Sequence, residues 1–393
     1  MLKKTFSRFQ QYNYSLTLIL TTLLIAFYSY QDITKWSIIK LIGAQGPIIY
    51  VDTNTVIYYA NCFSKIGSEV YGEGMFCSNW NYGSTVLKVV NFLSITSENT
   101  AFIGHFFTYL ILATFVYLLH LLKHFKHAQI VMFFGFLSPS VWLLMERANF
   151  DSLIYLMIFL SALLFRKGFE LTAIGLIIFT ALFKFYTLPL LIILLFLTSK
   201  FHVKIINVIG LSLGTYIILG DFRLMGGMSM QAGNNHFGMK IIGNYLGKLG
   251  VKLGTIEVYF LGAILFLAVI AFVMVIISRK EPQLLHNKLF SEKIEYIFIF
   301  MSSVFLISFS VGLSVDYRLV FYLASAPILV TLLKSRISYL FSGSFLVGAW
   351  FCYPAGLFQT FGDLNLELIA GFQIVVLLMT TLLKKTSVLR SKF

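Results

Sequence analysis

A chain of 393 residues that is 58% hydrophobic and 12% charged carries about half the charge of a water-soluble domain, which excludes a soluble enzyme or a soluble binding module. Its formal charge of +14 raises nucleic acid as a partner, and the placement of the bases removes it. They crowd alternate loops between apolar runs, the signature of cytoplasmic loops under the positive-inside rule.

The apolar runs are long and lack the period-two alternation of barrel strands. The expected fold class is therefore all-α integral membrane, a single polytopic domain over residues 1–393 with about twelve transmembrane helices. The first helix is expected at Tyr14–Tyr30, behind the basic start Lys3, Lys4 and Arg8. No small residues mark a cleavage position, so it reads as uncleaved and runs from inside to outside.

A long outer loop, Gln31–Asn99, follows. Its polar stretch, Gly46–Tyr82, holds Asp52 and the pair Cys62 and Cys77, which reads as a disulfide in an oxidising compartment or as two free thiols. Val56, Tyr59, Phe63 and Ile66 recur at helical spacing. That is the pattern of a helix lying in the membrane interface or packed on the bundle. A second helical run covers Thr85–Ile95.

Helix two, Thr100–Leu122, returns to a basic turn where His120, His124 and His127 stand among lysines without carboxylates, a solvated turn rather than a metal site. Helix three, Gln129–Met145, leads out to Glu146-Arg147-Ala148-Asn149-Phe150-Asp151, and helix four returns to Arg166-Lys167. Between Leu171 and Lys200 two crossings share too few residues for the usual 20 or so each. Helices five and six are expected to be short, leaving the turn Lys184–Pro189 below the surface with Lys184 in a cavity.

Helix seven, Ile205–Leu219, opens a second outer loop, Asp221–Glu257, rich in Gly, Met and Asn and containing His236. Helix eight is expected at Val258–Ser278. Helix nine, Tyr296–Leu313, ends in Ser314-Val315-Asp316-Tyr317-Arg318, from which helix ten descends to Lys334. Helices eleven, Ile337–Tyr353, and twelve, Glu367–Leu383, leave both termini cytoplasmic.

Ionisable residues at the ends of short, tightly connected membrane helices are costly and usually functional. Four such places converge on the outer side: Asp52, the Glu146–Asp151 turn, Lys184, and Asp316 with Arg318. Arg147, Lys184 and Arg318 form a cationic set suited to phosphate oxygens, and Asp52 is a carboxylate able to serve as general base. Asp151 is expected to pair with Arg147, and Asp316 with Arg318, as orienting partners. Lys184 has no carboxylate near it in sequence, so its expected partner is an anionic ligand.

The turn at 146–151 followed by Lys184-Phe185-Tyr186-Thr187-Leu188-Pro189 resembles the R-x-N-x-D and K-x-Y-x-x-P arrangement of bacterial polyprenyl-phosphate-sugar-dependent glycosyltransferases. These are the mannosyltransferase-like proteins of the integral-membrane GT-C superfamily, formerly a domain of unknown function. Ser314–Leu319 is similar to their late outer-turn motif. The stretch from Val51-Asp52 through Tyr58-Tyr59-Ala60 to Gly67 and Tyr71 is similar to their first outer loop. Two departures bear on the acceptor more than on the fold: Asn81-Tyr82-Gly83-Ser84 stands where relatives often carry Pro-Pro, and Pro189 lies later than in the common K-x-Y-P.

The resemblance implies a GT-C-like bundle with interfacial helices in its first outer loop. It implies inverting transfer of a sugar from a polyprenyl-phosphate donor to a hydroxyl of a glycan or glycolipid acceptor, on the extracytoplasmic side of the cell (inner) membrane. Asp52 would be the base, and Arg318, Lys184 and Arg147 would stabilise the leaving phosphate. Asn149, Asp151, Tyr186, Asp316, Tyr317 and His236 would orient groups or bind substrate. No metal or other cofactor is implied; the one paired-carboxylate option is Asp52 with Glu69 or Glu73.

Membrane lipids and the two substrates are the expected partners, with no nucleic acid. Two alternatives stand beside this reading. A secondary transporter predicts broken helices and ionisable residues at mid-depth. A lipid-linked polysaccharide polymerase or ligase relies on outer-loop arginines, of which the second loop offers only Arg223.

Overall fold

The computed structural model describes residues 16–23, 50–71, 77, 83–224, 236–237, 292–310, 314–315, 319–332 and 335–351. Among them the chain is helical apart from one two-residue antiparallel pair, β1 (His236–Phe237) with β2 (Ser314–Val315). Among the described residues two stretches are long and apolar enough to cross a membrane, Ser97–Leu121 and Phe201–Gly220. The bent pair Lys126–Phe136 and Pro139–Arg147 makes a third if taken as one span.

After a helical segment at residues 16–23, the helices are α1 (Val51–Ile66), α2 (Ser84–Phe92), α3 (Thr100–Leu121), α4 (Lys126–Phe136), α5 (Pro139–Arg147) and α6 (Asp151–Arg166). They continue as α7 (Glu170–Phe183), α8 (Leu190–Leu197), α9 (Phe201–Leu224), α10 (Glu292–Ser310), α11 (Leu319–Leu332) and α12 (Ser335–Phe351). The expected helices eight and twelve, and most of the first, lie outside the described residues.

Three local features position the site. α1 begins behind Tyr50, whose backbone is left-handed at φ 61°, and carries Asp52 in its first turn, where the helix dipole favours a carboxylate. It stops at Gly67, φ 57°, a conformation that costs glycine little. Its buried residues are Thr53, Val56, Ile57, Ala60 and Cys62, whereas Tyr59, Phe63 and Ile66 are only partly buried against the core. The inward stripe is turned away from the expected one because Thr53 points in, donating from Oγ1 to the Ala148 carbonyl at 2.5 Å.

α1 packs on α2, α3 and α5. Thr100 Oγ1 donates to Asn54 Oδ1 (2.8 Å) and Asn91 Nδ2 to the Ala60 carbonyl (2.8 Å), tying α1 to α3 and to α2. Cys62 and Cys77 are joined in a disulfide, which decides between the two readings of that pair.

The second feature corrects the sequence reading. The helix expected without interruption at Gln129–Met145 is two helices bent by 49°. Pro139 opens α5; lacking an N–H, it cannot continue the ladder of α4. α5 then ends on Ala148 in the left-handed region, φ 45°, a conformation that costs a residue with a Cβ about 1 kcal/mol or more. The strain turns the chain sharply between Arg147 and Asn149.

The third is the break between α7 and α8. α7 has 14 residues and α8 eight, short as expected. Lys184 joins them in extended conformation, φ −145°, followed by a single 3-10 turn, Phe185–Thr187, and by Pro189 before α8.

The core lies along α6, which packs on α3, α7 and α10, and along α10 against α11. Tyr155, Phe115, Phe136, Phe298, Phe300 and Phe321 are among its fully buried side chains. The outward faces of the two long candidate spans carry Phe102 and Tyr109 on α3, and Leu213 and Tyr216 on α9. Continuous exposed apolar surface of this kind suits contact with lipid.

Candidate active site

Asp52 lies where α1 meets the turn after α5. Arg147 Nε stands 3.0 Å from Oδ1 and 2.9 Å from Oδ2, and Arg147 Nη2 2.6 Å from Oδ1. Asn149 Nδ2 donates to Oδ2 at 2.5 Å. The main chain holds the same junction: the Tyr50 N–H donates to the Glu146 carbonyl at 2.7 Å, two residues before Asp52 and one before Arg147. The Asp52 side chain keeps 15% exposure and that of Arg147 36%, so the pair borders open space.

Behind it the network continues inward. Asn149 Oδ1 accepts from Lys184 Nζ at 2.7 Å and from the Asp151 N–H at 2.9 Å. Lys184 Nζ also stands 3.0 Å from Asp151 Oδ1, both side chains being almost wholly buried. The Tyr186 hydroxyl donates to that same Oδ1 at 2.5 Å. Arg147, Asp52, Asn149, Lys184, Asp151 and Tyr186 thus form one unbroken polar chain across four helix ends, those of α1, α5, α6 and α7. Buried charges are tolerable only when paired and hydrogen-bonded in this way.

Aromatic rings wall the chain off. Phe150 meets Phe107 edge-on with ring centres 5.6 Å apart and stacks on Phe183 at 6.3 Å. Tyr186 meets Phe321 edge-on at 6.2 Å. Low-polarity walls strengthen the electrostatic interactions inside.

Two expectations need correction. Asp151 was expected beside Arg147; its carboxylate receives Lys184 and Tyr186, while Arg147 takes Asp52 from 95 residues away. Lys184 was expected to need an anionic ligand for want of a carboxylate; Asp151 supplies one. In both cases the chain pairs its charges between helix ends rather than with neighbours in sequence.

His236 lies in β1, its backbone paired with Val315 of β2, directly before Asp316, Tyr317 and Arg318 in sequence. Those three residues, and Glu73, lie outside the described residues. Glu69 falls in the 3-10 turn after α1. Among the described residues there is no group of three His, Cys, Asp or Glu able to hold a metal ion. His127 of the basic turn bonds Ser342 Oγ at 2.8 Å and meets the Tyr339 ring, a packing role.

Residues that sequence reasoning missed are Tyr50, Thr53, Gly104 and Ala148. Tyr50 packs edge-on against His105 at 5.9 Å, and an added Cβ on Gly104 would meet the Tyr50 ring at 2.5 Å. Only a glycine admits the ring there. Burial, with Tyr109 nearby, pushes the Tyr50 hydroxyl up to about 12.

No protein-family model, no curated protein and no solved structure matches the chain.

Proposed function

We propose that the protein is a multi-spanning membrane glycosyltransferase that moves a sugar from a polyprenyl-phosphate donor to an acceptor hydroxyl on the extracytoplasmic face. The observation that carries the reading is the partly open Asp52 carboxylate, fixed beside the half-exposed Arg147 guanidinium and backed by a buried polar chain. A base and an anion-binding cation side by side are what such a transfer needs.

In this mechanism the acceptor O–H gives its proton to Asp52, and the oxygen attacks the anomeric carbon from the face opposite the phosphate. The bond from that carbon to the phosphate oxygen breaks, its electron pair stays on the phosphate, and the configuration inverts. Arg147, with Arg318 from the late outer turn, stabilises the growing phosphate charge, a contribution that is large in a pre-organised, water-poor site. Lys184 is committed to Asp151 and Asn149 and serves by holding that frame. Tyr186 orients Asp151, and His236, Asp316 and Tyr317 serve as further orienting or substrate-binding residues. About twelve spans with both termini cytoplasmic and residues 31–99 outside complete the topology, and the disulfide supports an oxidising compartment for that loop.

The test is release of polyprenyl phosphate from a polyprenyl-phosphate hexose by the purified chain, with membrane glycolipid as acceptor. Acceptor-dependent release with sugar recovered on the glycolipid supports the proposal; donor left intact overturns it.

A secondary transporter is the second reading, favoured by the broken α7–α8 segment with the buried Lys184–Asp151 pair at its break. It predicts accumulation of an anionic solute in proteoliposomes without chemical change, which a transferase does not give.

A further inference from the structure

Three N–H groups hold Asp52: Arg147 Nη2 and Asn149 Nδ2 donate to one oxygen each, and the single Arg147 Nε–H is shared between both. A carboxylate offers about four lone-pair directions, so with its side chain 15% exposed only a small part of it faces an incoming hydroxyl. Moving one donor away opens the carboxylate fully to that proton.

The two donors are held differently. Asn149 is buried, and its Oδ1 already accepts from Lys184 Nζ and the Asp151 N–H; a flipped amide would set its NH2 group against the Lys184 ammonium. Arg147 sits at the C-terminal end of α5 with its side chain 36% exposed, on a stem with rotamer freedom. Chemistry separates them as well. An amide has little preference for anions, whereas a guanidinium takes phosphate oxygens in the same forked geometry it uses for a carboxylate. A phosphate arriving beside Arg147 therefore competes with Asp52 for it.

We infer that Arg147 is a ligand-operated latch on Asp52: in the free protein it occupies the carboxylate, and a phosphate ester that captures its guanidinium frees Asp52 for proton transfer. The inference rests on the transferase reading and adds an order of events to it. The base stays engaged until the anionic donor is seated, so the acceptor is activated only when there is something to transfer. No bond is made or broken in the release; Arg147 exchanges one anion for another.

The test follows from linkage, because two anions competing for one cation must weaken each other. Binding of inorganic phosphate and of geranyl phosphate is measured by calorimetry on the full chain in maltoside micelles, which contain no phosphate. Asp52→Asn keeps the side-chain size and an oxygen for Asn149 and removes only the charge. It is expected to bind phosphate about ten-fold more tightly than the unsubstituted chain, the scale of a moderate charge-pair coupling. Arg147→Gln is expected to lose at least about ten-fold, and adding Asp52→Asn to it should restore nothing.

Tightening with both probes means that the phosphate group alone works the latch. Tightening with geranyl phosphate alone means that a lipid-linked phosphate is needed; either result supports the inference. It is overturned if Asp52→Asn leaves both affinities unchanged or lower, or if neither probe binds the unsubstituted chain. Should Asp52→Asn not fold, Asp52→Ser carries the same comparison. Failure of the transferase reading looks different: no sugar leaves a polyprenyl-phosphate donor, while the tightening persists.

Discussion

Replacing Lys184 by Met separates a structural cation from a free ligand-binding one. Met matches the length of the lysine stem and removes its charge. The ammonium stands 3.0 Å from Asp151 Oδ1 and 2.7 Å from Asn149 Oδ1, its own side chain 6% exposed and that of Asp151 0%. Removing one partner of a buried pair costs about 3–5 kcal/mol. The Tyr186 hydroxyl, 2.5 Å from the same oxygen, still donates, which puts the expected loss near the lower end, about 3 kcal/mol.

For 393 residues the unfolding entropy is roughly 0.8 kcal/mol per degree, so the midpoint should fall by about 4 °C. The assay is thermal unfolding in micelles, followed by intrinsic fluorescence. Lys184→Met combined with Asp151→Asn removes the orphaned charge and should recover at least half of the loss. A single variant that melts within about 1 °C of the unsubstituted chain, or a double variant no better than the single one, refutes the reasoning.

Gly104→Ala pushes a Cβ to 2.5 Å from the Tyr50 ring; overpacking of this kind costs about 1–3 kcal/mol, and because Tyr50 caps the helix that carries Asp52, transfer activity should fall with the midpoint. Tyr50→Phe should stabilise by about 1 kcal/mol, since the buried hydroxyl has no hydrogen-bond partner among the described residues. The same variant tests a pH effect. The unfolded phenol loses its proton near pH 10 and the folded one at about 12, so this group's stabilisation is full below pH 10 and lost between 10 and 12. Unfolding midpoints across that range should drop less steeply in Tyr50→Phe. Reduction of the Cys62–Cys77 bond, with a sequence separation of 15, should cost about 3 kcal/mol, and Cys77→Ser should melt lower and no longer respond to reductant.

The places where charge interrupts apolar sequence were legible: Asp52 before a helical run, the turn at 146–151, and Lys184 between two short helices. An ionisable residue in an oily chain stands out because burying it alone is prohibitive. What sequence did not reveal is which charge meets which. Arg147 and Asp52 are joined across 95 residues, a contact set by how α1 lies on α5 and by the left-handed Ala148, which no local preference announces. The turned stripe of α1 has a similar cause, a polar Thr53 drawn inward by a carbonyl, while the periodicity counted apolar residues alone. The break before Pro139 is legible from the proline itself, which lacks the N–H needed to continue the preceding helix.

The measurement that bears most directly on the account is sugar transfer from a polyprenyl-phosphate hexose by the purified chain beside Asp52→Asn, with folding of both checked by their unfolding midpoints. Loss of a general base lowers such a rate by about 100- to 10,000-fold, so the account predicts transfer by the unsubstituted chain and almost none by a folded Asp52→Asn. A folded Asp52→Asn that transfers at an undiminished rate would contradict it.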